Sequence, residues 1–356
     1  MTRPFRPFLA LALTALAFIA PGAEAAPKKE FKFAWSIYTG YMPWLYAEQS
    51  GILKKWADKY GIQIKLTQFN DYIESINQFT AGQFDGVTGT TMDALGLPSA
   101  GGVDTTALII GDYSNGNDAI VMKGKGRKLA DLKGQKVHLV QYSISHYMLW
   151  LALKSAGLKE GDVHLENLSD ADFYSAFRTS QVSSIVAWKP ALSNIEAEPN
   201  VSVVFDSKQI PAELVDIAMV NSRTLKENPA FGKALMGAWY ETLAAMKGTS
   251  PSAIAARTMM AKGSGTTLAD FDSQLATTHL YETPADAVAF LKGVSLREGI
   301  DRVRDFCFEH ELLGKKATSK DAIGVELPDG KVLGDKANVK FRIDGQYAGL
   351  AAAGKL

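Results

Sequence analysis

Aromatic side chains are crowded into one short stretch near the start of the chain. Residues 35–48 read WSIYTGYMPWLYAE and hold five aromatic rings with no lysine or arginine. Trp44 recurs inside a helical pattern, where packing against a sheet accounts for it. Trp35, Tyr38 and Tyr41 lie outside that periodicity, so both core packing and ligand contact remain open for them. Flat aromatic faces are the groups on which planar cations stack.

Acidic side chains follow in a stretch that lacks basic residues. Lysine and arginine make up 38 of the 356 residues, yet none occurs between Lys65 and Lys123. Asp71 and Asp118 stand where a predicted strand ends or a crossing begins, and Asp216 has a similar position later in the chain. Carboxylates bind the edge of a guanidinium ion through paired hydrogen bonds, so these acids are candidate ligand contacts. Helix capping and a solvated surface are the alternatives.

Four further residues are candidate contacts. Thr90 and Ser143 stand at predicted helix starts, where hydroxyl groups either cap the helix or touch a ligand. His146 stands at the start of the same predicted helix as Ser143, and Trp188 ends a predicted strand. The five histidines show no metal-ligand spacing, so neither a metal nor a cofactor is expected.

The elements that must position these residues alternate along the chain. From Phe31, short apolar runs alternate with amphipathic stretches, a pattern typical of strands joined by crossover helices. One set of strands is predicted within 31–111 and a second within 136–206, separated by the polar segment 123–135. A returning strand is predicted at 215–222. The remainder is expected to be mainly helical, with two short strands in the tail.

The predicted fold class is α/β, with two parallel-rich sheets and a helical C-terminal extension. We assign 26–121 and 215–356 to lobe 1 and 122–214 to lobe 2. Two crossings near 119–124 and 211–218 form the hinge. Ligands of open parallel sheets bind outside the carboxyl ends of the strands, which places the candidate residues at the cleft between the lobes.

The first 25 residues have the features of a secretory signal peptide. Arg3 and Arg6 precede an apolar run at 9–20, and small residues lead to a cleavage site after Ala25. The run is too short to cross a membrane, so a periplasmic protein is expected. The formal net charge is zero, which does not indicate a nucleic-acid surface. The single cysteine, Cys307, cannot form an intrachain disulfide and is expected to pack as a small apolar side chain.

Five stretches carry a resemblance to a known family. They are YAEQSGILKKWADKYGIQIKL, FTAGQFDGVTGTTMDAL, DLKGQKVHLVQYSISHYML, AWKPAL and ELPDGKVLGD. In this order they resemble the periplasmic substrate-binding proteins of the nitrate, sulfonate and taurine class of ABC importers. The resemblance implies a two-lobed, type II-like periplasmic binding protein fold. It also implies a monomer that delivers a small molecule to ABC permease and ATPase subunits at the inner membrane.

Two stretches are similar to one branch of that class. WSIYTGYMPW with FNDYIESINQFTAGQFDGVTGTTMDAL looks like the branch encoded beside urea carboxylase genes, which implies a urea or guanidinium ligand. Where many relatives carry Asp-Ala and Trp-Glu-Pro, this chain has Ser183-Ser184 and Trp188-Lys189-Pro190. That departure removes support for any role of the relatives' glutamate.

The acidic and aromatic composition favours guanidinium as the ligand, with urea next. A taurine, sulfonate or nitrate binder remains an alternative, because helix N-termini can hold anions without basic side chains. An enzyme on the same fold is not expected, because no phosphate loop or nucleophile–base pair is recognisable. A sensor that presents its ligand to a receptor stays open. We further expect Trp188→Ala to weaken binding without unfolding the protein.

Overall fold

A computed structural model describes Met1 and residues 28–356; the predicted signal peptide and its cleavage site therefore fall outside the described residues, Met1 apart. The strands of the described part are β1 (Glu30–Ser36), β2 (Gln63–Phe69), β3 (Gly86–Thr90), β4 (Thr105–Ser114), β5 (Asp118–Lys123), β6 (Lys136–Leu139), β7 (His164–Asn167), β8 (Ser184–Trp188), β9 (Val201–Asp206), β10 (Val215–Asn221), β11 (Thr278–Leu280), β12 (Gly324–Glu326), β13 (Val332–Leu333) and β14 (Val339–Ile343).

The helices are α1 (Met42–Gln49), α2 (Ile52–Lys59), α3 (Tyr72–Thr80), α4 (Thr91–Ala94), α5 (Ile144–Ser155), α6 (Phe173–Phe177), α7 (Ala191–Glu196), α8 (Ser222–Glu227), α9 (Pro229–Met246), α10 (Pro251–Gly263), α11 (Leu268–Leu275), α12 (Pro284–Leu291), α13 (Val294–Glu309) and α14 (Gln346–Ala352). Among residues 28–356, none of these helices is long and apolar enough to span a membrane.

The larger sheet forms the centre of lobe 1. Its strand order is β13-β12-β14-β4-β10-β3-β1-β2, and β11 pairs with β4. β1 is parallel to β2 and β3, whereas β10 is antiparallel to both β3 and β4. In β1, Phe31 and Phe33 are buried between exposed Glu30 and Lys32, and the strand then becomes buried on both faces. The carboxyl end of β1 therefore lies inside the molecule.

The smaller sheet forms lobe 2, with strand order β7-β6-β8-β5-β9. β5 lies between β8 and β9 and is antiparallel to both. The sequence interpretation placed the first hinge crossing at 119–124, which is wrong because the apolar run of β5 is a central strand of this sheet. The chain instead crosses from lobe 1 to lobe 2 at 115–117 and returns at 207–214, between β9 and β10.

Helix α13 contacts both lobes. It packs against α4 of lobe 1 and α5 of lobe 2. Phe306 on α13 meets the rings of Tyr147 and Trp150 on α5, with centroids 5.5 and 5.7 Å apart. The Trp150 indole N–H also donates to Glu309 at 2.8 Å. Cys307 is fully buried on the same helix and packs as a small apolar side chain. The C-terminal extension thus bridges the lobes on one side of the hinge.

Candidate ligand-binding cavity

A buried cavity lies between the two lobes. Its volume is about 20 Å³, which is room for about one water molecule. Each lining side chain is at most 6% exposed. The lining residues are Tyr38, Tyr41, Tyr72, Thr90, Asp118, Ile144, Trp188, Leu214 and Asp216. Because both lobes contribute, this geometry corresponds to a closed arrangement.

Strand ends place most of the lining. Tyr38 and Tyr41 follow the carboxyl end of β1, in and beside a 3₁₀ turn at Thr39–Tyr41. Thr90 is the last residue of β3, and Trp188 is the last residue of β8. Their shared position agrees with the rule that ligands of open α/β sheets bind beyond the carboxyl ends of the strands.

Two acids face each other beside the cavity. Asp216 on β10 pairs in register with Asp112 on the adjacent antiparallel β4. The Tyr38 hydroxyl donates to Asp112 at 3.2 Å, and the Tyr41 hydroxyl lies 2.5 Å from Asp216. Gly40 allows this approach, because a Cβ there would overlap Oδ2 of Asp112 and the ring of Tyr38. Each carboxyl group is thus held by one tyrosine.

Burial perturbs these carboxyl groups. Desolvation raises the pKa of Asp112 to about 7, against the lowering effect of the Tyr38 hydrogen bond. Desolvation and the neighbouring Asp112 charge raise the pKa of Asp216 well above its usual range. Asp118, which begins β5, also has its pKa raised to about 7 by burial, although the Lys189 charge opposes the shift. The Lys189 ammonium itself lies 3.3 Å from the Thr277 hydroxyl.

A second cluster of hydroxyl and carboxyl side chains supports the part of the cavity wall formed by Thr90 and Tyr72. The Thr90 hydroxyl lies 2.6 Å from Asp93, and the Tyr72 hydroxyl donates to the same carboxylate oxygen. Burial raises the pKa of Asp93 to about 6, against the lowering effect of these hydroxyl groups. The Tyr72 ring, fixed in this way, meets the edge of Trp188 at a centroid distance of 5.6 Å.

Trp188 is the largest aromatic surface of the cavity. It also packs edge-on against Phe173, with centroids 4.9 Å apart, and is only 6% exposed. The expectation that Trp188→Ala would leave folding unaffected therefore loses its basis, because this side chain fills space inside lobe 2.

The structure brings six of the ten sequence-predicted contacts to the cavity and places four elsewhere. The six are Tyr38, Tyr41, Thr90, Asp118, Trp188 and Asp216. Trp35 is 1% exposed within the sheet core. Asp71 caps α3 by accepting from the Glu74 N–H at 2.8 Å, and it also accepts from the Ser169 hydroxyl of lobe 2.

Ser143 and His146 are also outside the lining. The Ser143 hydroxyl caps α5 by accepting from the backbone N–H of Ser145 at 3.1 Å. His146 points instead toward Glu160, with Nε2 2.9 Å from its carboxylate. Both residues lie on the first turn of α5, whose residue Ile144 reaches the cavity.

Sequence reasoning missed Asp112 and Tyr72. Asp112 follows the apolar run of β4, and the strand-end rule that selected Asp118 would also have selected it. Tyr72 directly follows Asp71, so the correct loop was chosen with the wrong side chain. Ile144 and Leu214 carry no chemical signal and are recognisable only from the fold.

Three potential metal ligands meet where α13 contacts lobe 2. The ligand atoms of His146, Glu160 and His310 lie within 4.8 Å of one another. However, Nδ1 of His146 accepts from the Tyr142 backbone N–H at 3.1 Å, so Nε2 carries the ring proton. A metal-bound histidine needs the opposite arrangement, with the distal nitrogen donating. The cluster therefore suits a hydrogen-bonded contact between the lobes better than a metal centre.

His310 forms the charged part of this contact. Its Nδ1 lies 2.7 Å from the Phe306 carbonyl and Nε2 lies 2.8 Å from Glu160. Burial opposes a raised pKa, yet the Glu160 hydrogen bond and the Phe306 carbonyl raise the pKa of His310. Burial likewise opposes the shift of Glu160, whose pKa the two histidines lower to about 2.

We expect Glu160→Gln to destabilise the protein most near pH 6. The raised pKa of His310 stabilises the fold below about 6.5 and is lost as pH rises through the folded value. The lowered pKa of Glu160 stabilises the fold above about 4.3 and is lost as pH falls toward 2. Removing the charge should lower the free energy of unfolding by about 1–3 kcal/mol near pH 6. Thermal unfolding at pH 6 and 9 checks this; an equal effect at both values contradicts it.

Comparison with known proteins places this geometry in a family. The sequence profile of the NMT1-like family matches residues 24–261. The chain belongs to the NMT1-like family. This NMT1-like chain is 27% identical over 135 residues to the taurine-binding periplasmic protein of Escherichia coli K12. That alignment covers 37% of the chain and 42% of the relative, which is less than two thirds of its length.

Solved structures share the fold of this NMT1-like chain. The alkanesulfonate-binding protein of Xanthomonas axonopodis pv. citri, solved with MOPS, aligns with a TM-score of 0.68 and 18% identity, covering 84% of this chain and 99% of that one. The periplasmic nitrate-binding protein of Synechocystis PCC 6803 aligns with a TM-score of 0.58 and 12% identity, covering 93% and 100%. The predicted two-lobed α/β fold of periplasmic binding proteins is confirmed.

Proposed function

We propose that this chain is the periplasmic solute-binding component of an ABC importer, and that it closes its lobes on a small planar cation of the guanidinium type. The family and the fold support the first part. The observation that carries the second is a buried interlobe cavity in which acidic and aromatic side chains converge.

The charge of the cavity favours a cation. Asp118 and Asp216 line it, and Asp112 lies directly behind Asp216. Among residues 28–356, those lining the cavity include neither lysine nor arginine. The relatives named above are described as binding taurine, alkanesulfonate and nitrate, which are ligands with anionic groups. A buried anion beside these carboxyl groups would be repelled wherever they are ionised, so we expect the ligand of this chain to differ in charge from theirs.

The walls of the cavity favour a small, flat ligand. Two pairs of contacting rings supply aromatic surface, Trp188 with Tyr72 and Tyr38 with Tyr41. Aromatic faces attract cations by about 0.5–2 kcal/mol each, more when water is excluded. A guanidinium ion can direct its N–H edges toward the carboxylates while its faces contact the rings.

The position of the cavity accounts for closure. A ligand that contacts both lobes binds the closed form more tightly than the open form, and this difference in affinity drives closure. Permease and ATPase subunits are the expected partners of the closed monomer. Catalysis is not part of the proposal.

Urea is the second candidate. The raised pKa values of Asp112 and Asp118, each about 7, leave part of these carboxyl groups protonated at neutral pH. A protonated carboxyl group can donate to the carbonyl oxygen of a neutral ligand. Binding of taurine, another sulfonate or nitrate would overturn the assignment of the ligand as a cation.

Calorimetric titration of the mature chain with four compounds tests the proposal. We expect guanidinium to bind, urea to bind more weakly, and taurine and nitrate to give no heat of binding, because the cavity supplies carboxylates rather than basic groups. Titrations should be run in a buffer without a sulfonate group. Binding of taurine or nitrate with no response to guanidinium would refute the cation assignment.

A further inference from the structure

The paired acids beside the cavity, Asp112 and Asp216, need a proton to form a hydrogen bond with each other. Asp112 and Asp216 lie directly opposite each other on adjacent strands, and both side chains are buried. Two carboxylates are both acceptors, so neither can donate to the other. Oδ2 of Asp112 is fully buried and has no hydrogen-bond donor among the described residues. One proton on the pair supplies the missing donor.

The proximity of the pair is independent of lobe closure. β4 and β10 both belong to the sheet of lobe 1, and Asp112 is 0% exposed. Opening the lobes would leave both strands and their register unchanged. The ionisable groups that face the pair are Tyr38, Tyr41 and Tyr72 from lobe 1, Asp118 from β5, and Tyr281 beyond β11. Among these groups, Asp118 is the one beside a cationic side chain, because the Lys189 charge lowers its pKa.

Resting on the proposed function, we propose that the cavity exchanges a proton for its ligand: Asp112 and Asp216 share one proton in the ligand-free protein and release it to solvent when a monovalent cation binds. The cation brings one positive charge as the proton removes one, so the buried pair keeps the same total charge. Two adjacent carboxylates without either would repel each other at close range in a medium of low polarity. A neutral ligand such as urea would leave the proton in place.

Burial and the closeness of the two carboxyl groups favour a proton on the ligand-free pair. Burial raises the pKa of Asp112 to about 7, and burial together with the Asp112 charge raises the pKa of Asp216 well above its usual range, which favours retention of one proton by the ligand-free pair. A cation placed beside a carboxyl group favours its ionised form. Binding and protonation therefore compete, and guanidinium affinity should fall as pH is lowered, by about tenfold per unit where one proton is released.

Calorimetry in two buffers tests the exchange. Guanidinium is titrated at pH 7.5 into the mature protein in phosphate and in tricine, which differ in ionisation enthalpy and lack sulfonate groups. We expect the two heats to differ by the amount that corresponds to about one proton taken up by buffer per cation bound. The same titration with urea should show no such difference.

Asp112→Asn provides the matched variant. It removes the partner of Asp216 while leaving an amide of the same shape that can donate to it, so proton release should fall to the fraction of a proton that Asp118 still releases. Binding of guanidinium with equal heats in both buffers would overturn the exchange and leave the proposed function standing. Absence of guanidinium binding would overturn both.

Infrared spectroscopy of the ligand-free protein gives a test that needs no ligand. At pH 7 the wild-type protein should show the C=O absorption of a protonated carboxyl group that Asp112→Asn lacks. Thermal unfolding of the variant confirms that it folds. Absence of this absorption from the wild-type protein would overturn the inference even if guanidinium binds.

Discussion

Asp216→Asn is expected to weaken guanidinium binding by about 30-fold or more, because truncating one partner of a buried, hydrogen-bonded charge pair costs about 2–5 kcal/mol and each 1.4 kcal/mol is about tenfold. Asp216 lines the cavity, is 6% exposed, and is held by the Tyr41 hydroxyl. The amide keeps the shape of the side chain but cannot carry the negative charge that pairs with a cation. Calorimetric titration of the variant measures the change.

Asp58→Asn is the control for this experiment. Asp58 is an exposed acid on α2 whose carboxylate forms a surface ion pair with Lys54. The same chemical change there should leave guanidinium affinity unchanged. Equal affinities of wild-type protein and Asp216→Asn would contradict the assignment of Asp216 as a cation contact. Unchanged thermal unfolding of Asp216→Asn would show that weaker binding is not caused by unfolding.

Trp188→Ala is expected to reduce both stability and binding. The side chain packs against Phe173 and Tyr72 and is almost fully buried. Large-to-small substitutions of buried aromatic residues cost about 3–5 kcal/mol, partly because the surrounding structure does not refill the space. Loss of the aromatic wall also removes a stacking surface for the ligand. Thermal unfolding is the appropriate measurement, because the usual denaturants urea and guanidinium are themselves candidate ligands.

Trp188→Phe separates the two effects. A phenylalanine retains an aromatic face and part of the packing volume, so it should recover much of the stability and some of the affinity. If Trp188→Ala unfolds at the wild-type temperature, the packing argument fails. If it binds guanidinium as tightly as the wild-type protein, Trp188 is not a ligand contact.

The fold was largely predictable because its signals are local and repeated. Alternating apolar runs and amphipathic stretches predicted most strands of both lobes, and the returning strand predicted at 215–222 is β10 at Val215–Asn221. The error concerned β5, which was taken for part of the hinge. Its six residues, DAIVMK, precede a polar segment, and only pairing with β8 and β9 identifies them as a strand of lobe 2.

The loops that form the site could be predicted from the sequence, but the side chains that face the cavity could not. Strand ends indicate where a cleft lies, and this rule located Tyr38, Thr90 and Trp188. Side-chain direction depends on packing between distant elements, so Trp35 was expected at the cleft although it is buried in the core. The opposition of Asp112 and Asp216 is a property of strand register across about a hundred residues, which composition cannot reveal.

Helix α13 has a consequence for unloading of the cargo. Because α13 packs against α4 of lobe 1 and α5 of lobe 2, opening of the lobes has to disturb at least one of these two contacts. The free energy needed to release the ligand therefore depends partly on contacts between the lobes that do not touch the ligand. Substitution of Glu309, on the surface, should consequently change the residence time of the ligand. Substitutions in the acidic cavity should change which ligand is selected.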